Sequence, residues 1–324
     1  MRRRFGLVLL AASAVAGCVT MDTQNLRVVA LPVADLRSEP GTLPMPGTHD
    51  ALEETQVLYG EGVRVLKTQG AWAYVEAIEQ PEFSHANQWQ GYPGWIMQDV
   101  LQPWSPSVAN PNAIVTAKWA MVWRDPNGSE PWFQLPGGVK LMVTKPEGIL
   151  WPMRLTSGAT GWISRSQVRS LKELRRMPAV YRREQILRFA DEYVGDPYVW
   201  GGRCPYTARD KGTVTGVDCS GLVNLVYRMA GVDIPRDAHE QFLRARRVLR
   251  PQPGDLVFLS DHHKPNWIVH VMLYLGEDEL IEAPGTGQTV RRVSVVERLQ
   301  HPIHELQWGD AVGDQTLYFG AYLP

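Results

Sequence analysis

The sequence of 324 residues predicts two small β-rich modules followed by a mixed α+β domain. Three observations lead to this prediction: an internal repeat, the glycines and prolines that interrupt both copies, and a change to helix-spaced apolar residues after Pro178. The chain is 44% hydrophobic and has a formal net charge of -1. This composition is sufficient for sizeable cores and gives no indication of nucleic-acid binding.

The repeat occupies the first half of the chain. The stretches "GEGVRVLKTQGAWAYVEA" and "GYPGWIMQDVL" return as "PGGVKLMVTKPEGILWPMRLT" and "GATGWISRSQV". Short alternating runs broken by glycine and proline are typical of strands in a small barrel. We therefore place one barrel at residues 28–103 and another at 112–174. The order of a strand, W-x-x-V and G-W-I resembles bacterial SH3-like domains, which implies that fold for both barrels.

The first 18 residues have the pattern of an export signal. Three arginines precede an apolar run that is too short to span a bilayer, and small residues follow it. The ending "VAGC" resembles the lipobox of bacterial lipoproteins, in which the cysteine becomes the lipidated first residue. The resemblance implies a signal peptide over 1–17, lipidation at Cys18 and a tether over 18–27. A secreted protein with a chance cysteine is the alternative.

A cysteine stands at the predicted start of a helix in "GVDCSGLVNLVYRMAG", residues 216–231. The apolar residues of this stretch recur at helical spacing, and Asp218 or Ser220 would cap the helix. In the first turn of a helix, unpaired N–H groups and the helix dipole favour a thiolate, so Cys219 has the position of a nucleophile. Three alternatives are a buried apolar thiol, a disulfide with Cys204, and a zinc site that includes His262 and His263.

A predicted strand near the C-terminus supplies an imidazole. His270 lies in "IVHVMLYLG", and histidine is suited to accept a proton near neutral pH. The alternation of the strand places His270 on one face, with Met272 and Tyr274. It places on the other face the residues that should meet a core, which are Val271, Leu273 and Leu275.

Glu282, in the next predicted strand, is a candidate partner for this histidine. A two-residue turn at 277–278 would pair Glu282 with Leu273, on the wrong face. A three-residue loop over 276–278 would pair it with Met272, on the histidine face. We expect the three-residue loop, in which Glu282 accepts a hydrogen bond from the imidazole and fixes its tautomer. An exposed glutamate at a strand end is the alternative.

Six motifs then occur in a fixed order: "PYVWGG", "DCSGLV", "IPRDA", "PGDLVF", "HVMLYLG" and "LIEAPGTG". Together they resemble the NlpC-type papain-like cysteine peptidases that cut bacterial cell-wall peptides. The resemblance implies an α+β papain-like catalytic domain over residues 178–324, without metal or cofactor. It assigns Cys219 as the nucleophile, His270 as the general base and Glu282 as the orienting third residue.

The resemblance also implies a substrate, the γ-D-glutamyl to meso-diaminopimelate or lysine bond of murein stem peptides. In members with two SH3-like barrels, the residues that flank the nucleophile hold the free amine of an N-terminal L-alanine. These residues are Asp218 and Ser220 here. The other implied substrate-binding residues are Tyr198, Trp200, Arg236 and Asp237. A helix cap at Asp218 and a local ion pair between Arg236 and Asp237 are the structural alternatives.

The sequence departs from the family pattern at three places. Ala238 replaces the serine that often follows "IPRD", and Met272 replaces a glycine and should narrow the site. The stretch 204–216 is longer than usual and forms either a lid or a plain surface loop.

For the whole chain, we expect a monomer that is lipid-anchored in a bacterial cell envelope and acts on murein stem peptides. A non-catalytic peptidoglycan-binding protein and a related papain-like cell-wall amidase are the alternative functions.

Overall fold

The structure is a computed structural model that describes residues 24–45, 47–105, 110–145, 147–207 and 214–324. The predicted signal peptide and Cys18 lie outside the described residues, as does the central part of the 204–216 stretch. Within the described ranges, no helix combines the length and the apolar character that a membrane crossing requires.

The first β-unit is an antiparallel sheet of seven strands. Alternation explains these strands: in the fifth strand, Ala73, Val75 and Ala77 point into a core that they share with Val57 and Ile96. The strand order is β3-β2-β6-β5-β4-β1-β7. The strands are β1 (Leu26–Val29), β2 (Val33–Arg37), β3 (Glu53–Leu58), β4 (Gly62–Gln69), β5 (Trp72–Glu82), β6 (Gln90–Met97) and β7 (Leu101–Pro103).

The second β-unit repeats this topology. Its strand order is β10-β9-β13-β12-β11-β8-β14, which is the order of the first unit position by position. The repeat in the sequence therefore corresponds to two copies of one topology. The strands are β8 (Ala113–Val115), β9 (Trp119–Trp123), β10 (Pro131–Pro136), β11 (Lys140–Val143), β12 (Leu150–Arg154), β13 (Thr160–Ser164) and β14 (Val168–Ser170).

The C-terminal unit packs helices against antiparallel strands. The helices are α1 (Leu171–Arg176), α2 (Ala179–Glu192), α3 (Cys219–Met229), α4 (Ala238–Arg244) and α5 (Val295–Leu299). The strands are β15 (Arg203–Cys204), β16 (Gly216–Val217), β17 (Arg246–Arg247), β18 (Leu256–Ser260), β19 (Ile268–Gly276), β20 (Glu279–Glu282), β21 (Arg291–Ser294), β22 (Ala311–Val312) and β23 (Gln315–Ala321). The main sheet runs β17-β23-β18-β19-β20-β21.

Both faces of this sheet are buried. Val271 and Leu273 of β19 join the core that α3 completes, whereas Met272 and Tyr274 join a second core on the opposite face. The predicted alternation of β19 is therefore confirmed. The expectation that Met272 narrows the site is wrong, because its side chain is fully buried in the second core.

The β19–β20 connection gives the expected pairing by another route. Leu273 lies opposite Ile281, so Glu282 follows at the level of Met272, on the histidine face. The connection is a two-residue turn at 277–278 in which both residues have positive φ, and not the three-residue loop that we expected. A β-bulge between Tyr274 and Gly276 supplies the register shift that the odd loop was meant to provide.

Buried charges join the first β-unit to the C-terminal unit. The guanidinium of Arg203 forms a bidentate pair with Glu61, with both N–O distances at 2.9 Å, and both side chains are almost fully buried. Arg228 of α3 lies 3.0 Å from Glu61 and 2.9 Å from Glu79. Because Arg203, Arg228 and Glu61 are enclosed by protein, the two units cannot separate without leaving one of these charges exposed or without its partner.

Candidate active site

Cys219 is the first residue of α3, as the sequence predicts. Asp218 is the N-cap, and its carboxylate accepts a hydrogen bond of 2.6 Å from the Gly221 N–H. A side chain at Gly221 would place its Cβ 2.2 Å from the carbonyl oxygen of Gly202, so only glycine allows the loop to pass this close to the helix start. Neither Cys204 nor Cys219 forms a disulfide. The disulfide alternative is therefore wrong.

His270 lies between the thiol and a carboxylate. Its Nε2 is 2.8 Å from Oε2 of Glu282, and the ring also forms a hydrogen bond with Cys219. Because Nε2 is occupied, the nitrogen that faces the thiol is Nδ1. Burial disfavours the imidazolium, but the hydrogen bonds to Cys219 and Glu282 outweigh it and raise the pKa of His270 to about 9. This arrangement favours a protonated imidazole next to the thiol at neutral pH.

Glu282 is buried, and two arginines that sequence reasoning missed also contact it. Burial would raise the pKa of its carboxyl, but His270, Arg291 and Arg298 outweigh this effect and lower the pKa to about 2. The carboxylate is therefore ionised at neutral pH. Arg291 and Arg298 follow Glu282 by 9 and 16 residues, and no motif in the sequence marked them.

Asp218 is fully engaged. Its carboxylate accepts hydrogen bonds from the Gly201 and Gly221 N–H groups, the Ser220 hydroxyl and two nitrogens of Arg236. Arg236 is completely buried and lies 2.7 Å from Asp218 at the closer contact. The cap that we considered as an alternative is therefore present. Asp218 also has its counter-charge, Arg236, within the protein, and its contact with a substrate amine stays a prediction.

The other predicted binding residues lie around this pair. Asp237 is 3.5 Å from Arg236, which is the local ion pair that we considered as an alternative. Burial and the nearby charges of Asp218 and Cys219 raise the pKa of the Tyr198 phenol, which places Tyr198 beside the nucleophile. Trp200 is 61% exposed. It lines a cleft of about 450 Å³, together with His49, Tyr198, Tyr206 and Thr286.

The first β-unit contributes a buried carboxyl that sequence reasoning also missed. Glu53 of β3 is 3% exposed, and its Oε1 has no hydrogen-bond partner among the described residues. A Cβ at Gly201 would lie 2.9 Å from the Glu53 Cγ, so the carboxyl lies directly against the loop that precedes the nucleophile. Burial, and then the charge of Asp35, raise the pKa of Glu53 to about 10.

His49 covers this carboxyl. Its Nε2 is 3.5 Å from Oε2 of Glu53 and 2.9 Å from the carbonyl oxygen of Trp200. Because a carbonyl only accepts, Nε2 carries the proton and donates it. Nothing in the sequence marked Glu53 or His49. Their position beside the active site depends on how the first β-unit packs against the loop at Trp200 and Gly201, which is far away in the chain.

These observations define a thiol hydrolase of the papain type: a cysteine at a helix start and an imidazole held between the thiol and a buried carboxylate. Residues 195–309 match the NlpC/P60 family. The chain therefore contains an NlpC/P60 domain and is a hydrolase of the cysteine peptidase class.

Several bacterial proteins match over most of the chain. A gamma-D-glutamyl-L-lysine dipeptidyl-peptidase of Bacillus cereus is 25% identical over 242 residues, which cover 73% of this chain and 69% of that protein. The Bacillus subtilis protein of the same name is 27% identical over 258 residues, covering 77% and 78%. Dipeptidyl-peptidase 6 of Lysinibacillus sphaericus is 27% identical over 302 residues, covering 86% and 94%.

A solved structure matches the arrangement of all three units. The crystal structure of an NlpC/P60 family protein from Bacillus cereus superposes with a TM-score of 0.74 at 22% identity, covering 92% of this chain and 100% of that one. At this identity the match establishes the fold, including the two β-units ahead of the NlpC/P60 domain.

Proposed function

We propose that this protein is a cysteine endopeptidase that hydrolyses the γ-D-glutamyl to diamino acid bond of murein stem peptides. The observation that supports this most directly is the Cys219–His270–Glu282 arrangement within an NlpC/P60 domain. The names of the Bacillus relatives supply the bond type. We place the site of action of this protein in the cell envelope, where murein stem peptides are found.

The proposed reaction follows from the geometry. The Cys219 thiolate attacks the γ-carbonyl carbon, and backbone N–H groups at the start of α3 stabilise the oxyanion. The imidazolium of His270 protonates the leaving amine of the diamino acid as the C–N bond breaks. Neutral His270 then takes a proton from water, which attacks the thioester and releases the acid and the thiol. Glu282 holds the imidazole in one orientation throughout.

We further infer that the enzyme prefers peptides with a free N-terminal L-alanine, and that Glu53 provides the negative charge for the amine. Arg236 neutralises Asp218 and Arg37 pairs with Asp50 at 2.6 Å, so Glu53 is the carboxyl that these arginines leave uncompensated. Burial is the main cause that raises the pKa of Glu53 to about 10, and the opposing charge of Arg236 does not offset it. A substrate ammonium that displaces His49 would supply the compensating positive charge.

The remaining parts of the proposal concern organisation. The β-units are SH3-like domains over 28–103 and 112–174, and the peptidase domain spans 178–324. Their shared strand order supports this assignment. Cys18 is lipidated and anchors a monomeric enzyme to a membrane. A Cys18→Ser variant should move from the membrane fraction to the soluble fraction, and a wild-type protein that is already soluble would contradict the anchor.

One set of peptides tests the activity and its specificity. L-Ala-γ-D-Glu-diaminopimelate is offered with a free amine, with an acetylated amine, and joined to the muramyl sugar, and products are identified by mass spectrometry. We expect cleavage of the γ-D-glutamyl bond, fastest by far with the free amine. No cleavage of any peptide by wild-type protein would contradict the proposed activity, and equal rates on all three would contradict the amine preference alone.

A further inference from the structure

Three groups among the described residues contact the carboxylate of Glu282, and all three are cationic or become so. Oε2 contacts His270 Nε2 at 2.8 Å and Arg298 Nε at 3.1 Å. Oε1 accepts two hydrogen bonds from Arg291, at 3.1 Å from Nε and 2.8 Å from Nη2. The Glu282 side chain has no exposed surface, so its orientation is set by these contacts.

We propose that Arg298 and Arg291 are positioning residues of the reaction. They fix the orientation of the Glu282 carboxylate, and they weaken the electrostatic stabilisation that this carboxylate gives to the His270 imidazolium. This inference depends on the proposed function only for its kinetic readout. Neither arginine needs to touch the substrate, because both act through Glu282.

The first part of the argument is geometric. A carboxylate with one neighbour can rotate about its terminal torsion, which is broad in glutamate. Arg291 binds Oε1 through two nitrogens and Arg298 binds Oε2, so contacts to both oxygens fix the plane of the carboxylate. His270 therefore has one acceptor in one direction, which keeps Nδ1 aimed at Cys219.

The second part concerns charge. Arg298 and His270 share a single oxygen, so the guanidinium lies close to the imidazolium and opposes it. Arg291 holds the other oxygen and is farther from the ring by this connectivity. With Glu282 as its only charged neighbour on that side, the His270 imidazolium would have a higher pKa and would be a weaker acid. The two arginines offset part of that effect, which suits a group that must release a proton to the leaving amine.

The charged groups around His270 and Glu282 come from four elements, α3, β20, β21 and α5. Cys219 on α3 and Glu282 on β20 face the ring of His270. Arg291 on β21 and Arg298 on α5 face Glu282. Nη1 of Arg291 is also 3.9 Å from Oε1 of Glu297. Both side chains are exposed there, so this ion pair contributes little to stability.

The experiment compares Arg298→Gln, Arg298→Lys and Arg291→Gln with the matched control Arg292→Gln. Arg292 neighbours Arg291 on β21, but it pairs with Asp191 and Glu279 at the surface. The first readout is the pKa of His270 from NMR of histidine-labelled protein, which requires no substrate. The second is kcat and KM on the free-amine tripeptide. Circular dichroism shows which variants are folded.

We expect Arg298→Gln to raise the His270 pKa by up to about one pH unit and to lower kcat about tenfold, with KM unchanged. Arg298→Lys keeps the charge, so the pKa should stay near the wild-type value while kcat falls in part. Arg291→Gln should lower kcat with a smaller pKa change, because Oε1 does not contact the ring. Arg292→Gln should match wild type in both readouts.

An unchanged His270 pKa in folded Arg298→Gln protein would overturn the charge role, and an unchanged kcat would overturn the positioning role. If Arg298→Gln does not fold, Arg298→Lys and Arg291→Gln still decide the positioning role through kcat. If wild type cuts none of the peptides, the proposed function fails, whereas the NMR comparison still tests the arginines.

Discussion

His270 Nε2 and Glu282 Oε2 lie 2.8 Å apart across the β19–β20 hairpin, and this contact determines which imidazole nitrogen faces Cys219. It also contributes to the raised pKa of His270. The carboxylate on one side and the thiol on the other together outweigh the effect of burial and stabilise the charged ring.

A pH profile follows from this arrangement. His270 must be protonated to serve the leaving amine, so we expect kcat to fall as pH rises through about 9. Glu282→Gln removes one stabilising partner of the imidazolium. The pH at which kcat falls should therefore move down towards 6.5, and kcat itself should be lowered about a hundredfold or more. An unchanged pH for this fall in Glu282→Gln would show that Glu282 does not act on the histidine.

The raised pKa of His270 also makes the folding stability depend on pH. The folded-state pKa of His270 lies above its ordinary value of 6.5. Its contribution to stability is therefore complete below about pH 6.5 and is lost as pH rises through 9. Thermal melts of wild type and His270→Gln should converge as pH increases across this window. Curves that remain parallel would contradict the raised pKa.

The two cysteines of the C-terminal unit should differ in their roles. Cys219→Ala should abolish hydrolysis while circular dichroism stays unchanged. Cys204→Ala should remain active, because Cys204 lies buried in β15, and the loss of one sulfur there costs only on the order of 1 kcal/mol. Peptide digests followed by mass spectrometry provide the comparison. Full activity of Cys219→Ala would refute the proposed mechanism.

Glu53→Gln should separate binding from folding. The wild-type carboxyl keeps its proton in the folded state until pH reaches about 10, whereas the unfolded chain releases it near 4.5, so folding stability falls as pH rises between these values. Glu53→Gln should therefore melt at a higher temperature than wild type at pH 8, by about 3 °C or more, and at a similar temperature at pH 4.

The same variant should lose most of its preference for free-amine peptides over acetylated ones. Glu54→Gln, at the neighbouring position, is the matched control and should keep that preference. A Glu53→Gln enzyme with the wild-type preference would show that another group binds the amine.

Asp218→Asn should destabilise the protein as well as the site. Asp218 is the cap of α3 and the counter-ion of fully buried Arg236, so neutralising it leaves a guanidinium without its partner. Breaking a buried pair in this way costs about 3 to 5 kcal/mol. Denaturant melts of Asp218→Asn and wild type measure this loss. A difference below about 1 kcal/mol would show that the pair is not essential to folding.

Local patterns were sufficient to predict several features of this molecule. Helical spacing placed Cys219 at the start of α3, alternation placed His270 and Met272 on one face of β19, and the repeat anticipated two sheets of equal topology. Each of these predictions depends on residues close together in the chain or on a direct comparison of two segments.

The features that the sequence did not predict depend on packing between distant segments. Met272 was placed on the correct face, but that face is covered by a second core, and alternation alone cannot distinguish a buried face from an open one. The contact of Arg236 with Asp218 was not predicted, because the two residues are 18 positions apart in the chain. Glu53 lies 148 positions before Gly201, and only the folded chain brings their atoms together.

The pair between Arg203 and Glu61 limits how this protein can evolve. The first β-unit cannot be exchanged freely, because it holds the counter-charge for guanidiniums that the peptidase domain keeps away from water. A recombinant gene that encodes only the peptidase domain would leave Arg203 and Arg228 without Glu61. A substituted module would have to provide a carboxylate at the same point. Domain shuffling should therefore conserve the first β-unit and the peptidase as one inherited piece.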